Sequence, residues 1–190
     1  MQKKVICCIL ALLLMLPCFC GCKFMTLSDE EARAELEKLL PAAKELTDIF
    51  YGEGLPYEQL PADSTDYYAF VTKDAPYQSV TALKQAAQKV FSTEYLESIY
   101  EYAFEGSDYY SSRYFMSRDS YNTLRLKINL NLEPMPVYQE IDLDSVKVIE
   151  GTPATVTVQV NAVNAKGQTK TKKITMVKQG DVWLLDSAAY

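Results

Sequence analysis

The stretch LPCFCGCKFM, Leu16 to Met25, puts Cys18, Cys20 and Cys22 within five residues of one another. Thiols so closely spaced could bind a metal, pair as a disulfide, act as a redox thiol or carry a lipid. A tetrahedral zinc site needs four ligands, mostly Cys and His, and the spacing here lacks a second ligand cluster. The chain contains no histidine, and its two other cysteines, Cys7 and Cys8, sit inside the apolar run that precedes these three. The same lack of histidine removes the usual base of a Ser-His or Cys-His nucleophile, and no serine is followed by lysine three positions on. No cofactor or metal is expected.

What surrounds the cysteines decides among the remaining chemistries. Lys3 and Lys4 make a cationic head, and Val5 to Leu16 carry no charge. That apolar run falls short of the roughly 20 residues that span a bilayer; a basic start, a short apolar stretch and a small residue make a secretory signal. Gly21 stands before Cys22, whereas bulky Phe19 stands before Cys20 and Pro17 before Cys18. The segment Phe19 to Cys22 resembles the signal of bacterial lipoproteins, in which cleavage precedes a cysteine bearing a diacylglycerol. It departs from the common pattern at Phe19 and Cys20. The resemblance implies removal of 1–21, lipid attachment at Cys22, a short tether over 22–27 and one domain over 28–190, anchored at the extracytoplasmic face of a bacterial membrane. The alternative is an ordinary secretory signal that leaves Cys22 as a lone thiol.

About 170 residues remain, an ordinary domain size that needs no disulfide staples. The chain carries a net charge of −6 at pH 7, and loss of Lys3 and Lys4 makes it more acidic still. Nucleic acid, which requires clustered cations, is therefore not an expected partner.

The positioning elements follow from periodicity. Ser28 with Glu31 makes a capping box, and Ala32, Leu36, Leu39, Ala43, Leu46 and Phe50 form one helical stripe. Pro41 predicts a kink or break near Leu40, and Gly52-Glu53-Gly54 a stop. That Gly-Glu-Gly follows a helix instead of a strand, so it does not read as a phosphate loop. Tyr67 to Thr72 read as a short strand with Tyr67, Tyr68 and Phe70 in the core. Two helices begin at Ser79 and at Ser92 or Thr93, the second ending at Gly106. From Arg113 the period becomes two, clearest at Leu124, Leu126, Ile128, Leu130 and Leu132. Further strands are expected at Ser145 to Glu150, Ala154 to Val163, Thr169 to Lys178 and Val182 to Asp186, joined by tight turns.

Helices followed by a strand meander predict an α+β fold, with N-terminal helices packed on a C-terminal antiparallel meander sheet. The closing Gly180-Asp181-Val182-Trp183-Leu184-Leu185 is similar to the last hairpin of nuclear transport factor 2-like (cystatin-like) domains. A fainter resemblance, over Tyr67 to Gly106 and the final hairpins, links the chain to secreted DL-endopeptidase inhibitors, which act by binding a cell-wall hydrolase. Some nuclear transport factor 2-like enzymes use an Asp with a Tyr in a pocket between helices and sheet, so a carboxylate-based enzyme is the competing class. Trp183 is expected to be largely buried against Leu83, Val90 and Leu96.

Two surface features suggest contacts. Ser107 to Tyr121 is the densest aromatic stretch; Tyr114 and Phe115 read as the start of a strand with a core face, while Tyr109 and Tyr110 fit a recognition loop, since tyrosine among serines supplies stiff contact area. Lys170, Lys172 and Lys173, with Lys166 and Lys178, crowd one hairpin. They read either as edge-blunting charges or as a site for an anionic wall polymer. The expected function is a non-catalytic binding module, held by the lipid on Cys22, for an envelope protein, wall polymer or small ligand; the alternatives are a cell-wall hydrolase inhibitor or the carboxylate enzyme.

Overall fold

The computed structural model describes residues 26–64, 67–106, 112–116, 124–128, 140–164 and 166–190. Cys22, Tyr109 and Tyr110 lie outside the described residues. Helix α1 spans Asp29–Tyr51, strand β1 Tyr68–Phe70, helix α2 Val80–Ala87 and helix α3 Thr93–Tyr100, which runs on into a π-helical turn at Glu101–Glu105. Strands β2 (Tyr114–Met116), β3 (Leu124–Lys127), β4 (Glu140–Gly151), β5 (Thr155–Val163), β6 (Thr169–Gln179) and β7 (Val182–Leu185) complete the order. The fold is α+β, with the helices packed on antiparallel sheet.

Each helix starts where a serine hydroxyl replaces a missing backbone acceptor. Ser28 accepts from the Glu31 amide while the Glu31 carboxylate accepts from the Ser28 amide at 2.8 Å, so two orphan donors are satisfied together. Ser79 and Ser92 cap α2 and α3 through the amides of Ala82 and Tyr95. The predicted break at Pro41 does not occur: α1 runs through it. A proline inside a helix costs about 3 kcal/mol, and here the turns on both sides are pinned by buried Leu36, Leu39, Leu40, Ala43 and Leu46, whose burial offsets that cost.

The strands form two sheets, ordered β1-β3-β2 and β4-β5-β6-β7. In the larger one, β5 and β6 pair without interruption from Thr155↔Val177 to Val163↔Thr169. Alternate residues therefore face the helices, and Val156, Val158, Val160, Ala162, Ile174 and Met176 are buried there. Strand β4 extends to Glu140, well before the predicted Ser145, and is interrupted by two register shifts. Ser145 fills the larger one, donating to the Asp142 carbonyl at 2.6 Å and accepting from the Asn161 amide at 2.7 Å. A bulge of this kind breaks the period of two, which hides the first half of the strand from sequence reading.

Two aromatic expectations change. In β1 it is Ala69 and Val71, not the tyrosines, that enter the core, and Tyr67 is 59% exposed. Large rings at 68 and 70 take the other face of this short strand, where the Arg125 guanidinium covers the Phe70 ring at 3.9 Å. Trp183 is only half-buried. It pairs with Lys178 near the β6–β7 turn, whereas Leu184 and Leu185 farther along are buried.

Candidate functional site

Helix α1 gives the larger sheet a direction. Its first turn meets the end of β4: the Asp29 carboxylate accepts from the Val148 amide at 2.7 Å, Arg33 pairs with Asp144 at 2.8 Å, and Thr26 fills the space where a Cβ on Gly151 would go. The chain thus enters the domain beside the β4–β5 turn. Twenty-three residues of α1 advance about 34 Å along the sheet, antiparallel to β4, so the helix ends toward Glu140 and the β5–β6 turn. Any tether upstream of Thr26 holds the first of these two ends, and the second points away from it.

The far end is organised around the C-terminus of α1. Its last carbonyls lack intrahelical partners, and no basic residue stands in its last turn. Arg113, 4% exposed and preceding β2, supplies the cap: Nε donates to the Ile49 carbonyl at 3.1 Å and Nη2 to the Gly52 carbonyl at 2.6 Å. The Tyr114 hydroxyl donates to the same Ile49 carbonyl at 3.0 Å and accepts from the Leu55 amide at 3.0 Å. Burial raises the Tyr114 pKa above 10.0, so the hydroxyl stays a donor. Gly54, at φ +91°, lets these groups approach; a Cβ there would fall 2.9 Å from Arg113 Nη2 and 3.1 Å from the Tyr114 oxygen. This buried cation acts on backbone carbonyls and is a structural cap, which sequence reading missed because its partners are some sixty positions away.

Next to the cap lies an aromatic layer. The Tyr51 and Tyr102 rings stack at 5.1 Å, Phe104 meets Phe50 edge-on at 5.9 Å, and Lys84 Nζ lies 4.5 Å above the Tyr100 ring. The π-helical turn ends at Gly106, whose amide donates to the Glu101 carbonyl. Across the segment 107–111, Ser112 is fixed by the Tyr68 hydroxyl at 2.9 Å. Both flanks of the predicted tyrosine loop are therefore anchored at the end of the domain remote from Thr26.

The β5–β6 hairpin reaches the same end. Its lysines do not form one patch, because alternation divides them between two faces. Lys170 and Lys172 pair with Ala162 and Val160 and share the helix side of the sheet; Lys173 pairs with Gln159 on the outer side. Lys172 is half-buried, and its pKa is lowered by that burial and, secondarily, by the charge of Lys170 on the same face. Lys166, Lys170 and Lys173 are exposed, and no carboxylate of the described residues forms an ion pair with them. Among the described residues, two carboxylates have displaced pKa values, Glu31 and Asp74, and hydrogen bonds lower both. The described residues hold no group of three or more His, Cys, Asp or Glu side chains placed to bind a metal, and no helix long and apolar enough to cross a membrane. The hairpin end is thus equipped to attract anions and to present backbone and aromatic surface.

The chain matches none of the protein-family models and none of the curated proteins with which it was compared.

Proposed function

We propose that the chain is a bacterial lipoprotein, anchored through a lipid on Cys22 at the extracytoplasmic face of the membrane, whose domain is a non-catalytic binding module for an envelope protein, a wall polymer or a small ligand. The observation that carries this reading is the distance between two signals. The lipid-type Gly21-Cys22 step is followed by the Ser28 capping box with only Lys23 to Leu27 between. Five extended residues reach about 17 Å at most, so the start of α1 stays near the bilayer and the opposite end of the domain faces outward. Two acyl chains suffice for stable anchorage, where one is marginal. Tyr109 and Tyr110, whose flanks Gly106 and Ser112 are held at the outward end, are the leading contact residues, with Lys170, Lys172 and Lys173 as the second set.

Cys22→Ser should move the folded protein out of the membrane fraction. Retention of a normally processed Cys22→Ser protein in that fraction would refute lipidation at this residue. Tyr109→Ala with Tyr110→Ala should reduce recovery of crosslinked partners from intact cells while thermal stability holds.

A further inference from the structure

We propose that the free edge of β6, from Thr169 to Lys173, is a docking edge for an extended acidic polypeptide segment, which joins the four-stranded sheet as an added strand. This deepens the binding-module reading and does not depend on lipidation of Cys22.

The edge is free because β7 is short. It pairs with β6 only from Met176 to Gln179. The chain then leaves the sheet, with the Asp186 amide donating to the Thr175 carbonyl at 2.8 Å and the Thr175 amide donating to Ser187 Oγ at 2.9 Å. In a strand the amide and carbonyl of one residue point to the same side, and the side alternates along the chain. Thr175 therefore sets the parity. Lys173, Thr171 and Thr169 turn their backbone groups to the same open side, since β6 has no register break there. All three are exposed, and no bond from the described residues reaches those groups. About 17 Å of strand edge is thus left unpaired at the outward end.

Other edges of this sheet are engaged. The link between α2 and α3 runs parallel to β7, bonding through Leu185 N to Val90 O at 2.9 Å and Ser92 N to Leu185 O at 2.8 Å. Strand β4 takes the Asp29 carboxylate at Val148 and the Arg33 pair at Asp144.

Charge selects the occupant. A second copy of this edge would bring lysine against lysine, the usual way an edge strand is protected from self-addition. An acidic strand meets the opposite situation: Lys170 and Lys172 flank it on one face and Lys173 on the other, so its carboxylates on both faces find cations while its backbone completes the ladder. The nine uninterrupted β5–β6 pairs keep the edge rigid, which lowers the ordering cost of binding.

Strand addition and simple polyanion attraction separate in one experiment on the full chain. The probe is a fluorescent peptide of alternating valine and glutamate, followed by anisotropy, with polyglycerol phosphate as competitor. Thr171→Pro removes an edge-side amide and leaves every lysine and every β5–β6 bond in place; it should weaken peptide binding roughly tenfold or more. A peptide N-methylated on its pairing side should lose affinity for the unaltered protein to a similar degree, which tests the same bonds without any substitution in the chain. Lys170→Gln with Lys173→Gln should weaken binding and flatten its salt dependence. Undiminished binding to Thr171→Pro, or of the N-methylated peptide, would overturn strand addition, and so would polymer binding that outcompetes the peptide and is indifferent to Thr171→Pro. Either result would leave a charge patch and the module reading intact; the module reading fails separately, if the tyrosine variants change no partner.

Discussion

At its first turn α1 is held by residues beside it in the chain, whereas its last turn is held by residues 61 to 65 positions away. The Ser28–Glu31 box closes on itself within four residues. The Ile49 and Gly52 carbonyls, by contrast, wait for Arg113 and Tyr114 to arrive from a strand formed much later. The contrast extends to the sheet. Near the start of α1, Asp29, Arg33 and Thr26 occupy β4, and the link at Val90 to Ser92 occupies β7. At the other end the β5–β6 hairpin projects with an open, cationic edge. A domain tied down at one end and left available at the other is built to present something, and the burial pattern shows which end that is.

The sharpest way to break the comparison is to remove the distant cap. Arg113→Ala leaves two buried carbonyls without their charged donor and should cost about 3 kcal/mol. It should lower the urea midpoint and hasten amide exchange at Leu55, whose N–H bonds the neighbouring Tyr114 hydroxyl. An unchanged midpoint would mean that the end of α1 does not depend on the residue before β2. Trp183 tests the closed end. Because it is only half-buried, Trp183→Ala should cost about 1 to 2 kcal/mol by area, less than the roughly 3 to 5 kcal/mol of an enclosed tryptophan. A loss in the larger range would place it inside the core.

The smallest effect belongs to the local cap. The backbone bond from Ser28, then its hydroxyl, hold the Glu31 carboxyl below the ordinary glutamate value of 4.5. A depressed carboxylate contributes stability that is complete above its unfolded pKa and is lost as pH falls through the folded one. The stability curve of Glu31→Gln should therefore lie slightly below the parent at neutral pH and converge on it below about pH 4.5. Curves that stay parallel down to pH 3 would remove Glu31 from the acid limb. Together these variants rank a distant cap above a sheet corner, and both above a local box.

Much of the fold was legible in the chain because it depends on near neighbours. Ser28, Ser79 and Ser92 bind amides three residues on, and Val156 to Ala162 alternate in step with an unbroken ladder. The lysine-rich hairpin was visible for the same reason. Its division into Lys170 and Lys172 on one face and Lys173 on the other follows from strand parity, but the meaning of that parity depends on where β7 stops.

Local chemistry in the sequence settled the helix starts, the β5–β6–β7 turns, the acidic balance and the α+β order, since each rests on bonds or periodicities within a few residues. Only the tertiary structure decided that α1 passes through Pro41, that Arg113 closes it, that the strands divide into two sheets and that the edge from Thr169 to Lys173 stays open. Those outcomes compare free energies between segments far apart in the chain: the burial of Leu36, Leu39, Leu40 and Ala43 against one lost helix bond, or the length of β7 against the reach of its neighbour. No short window of residues contains both sides of such a comparison.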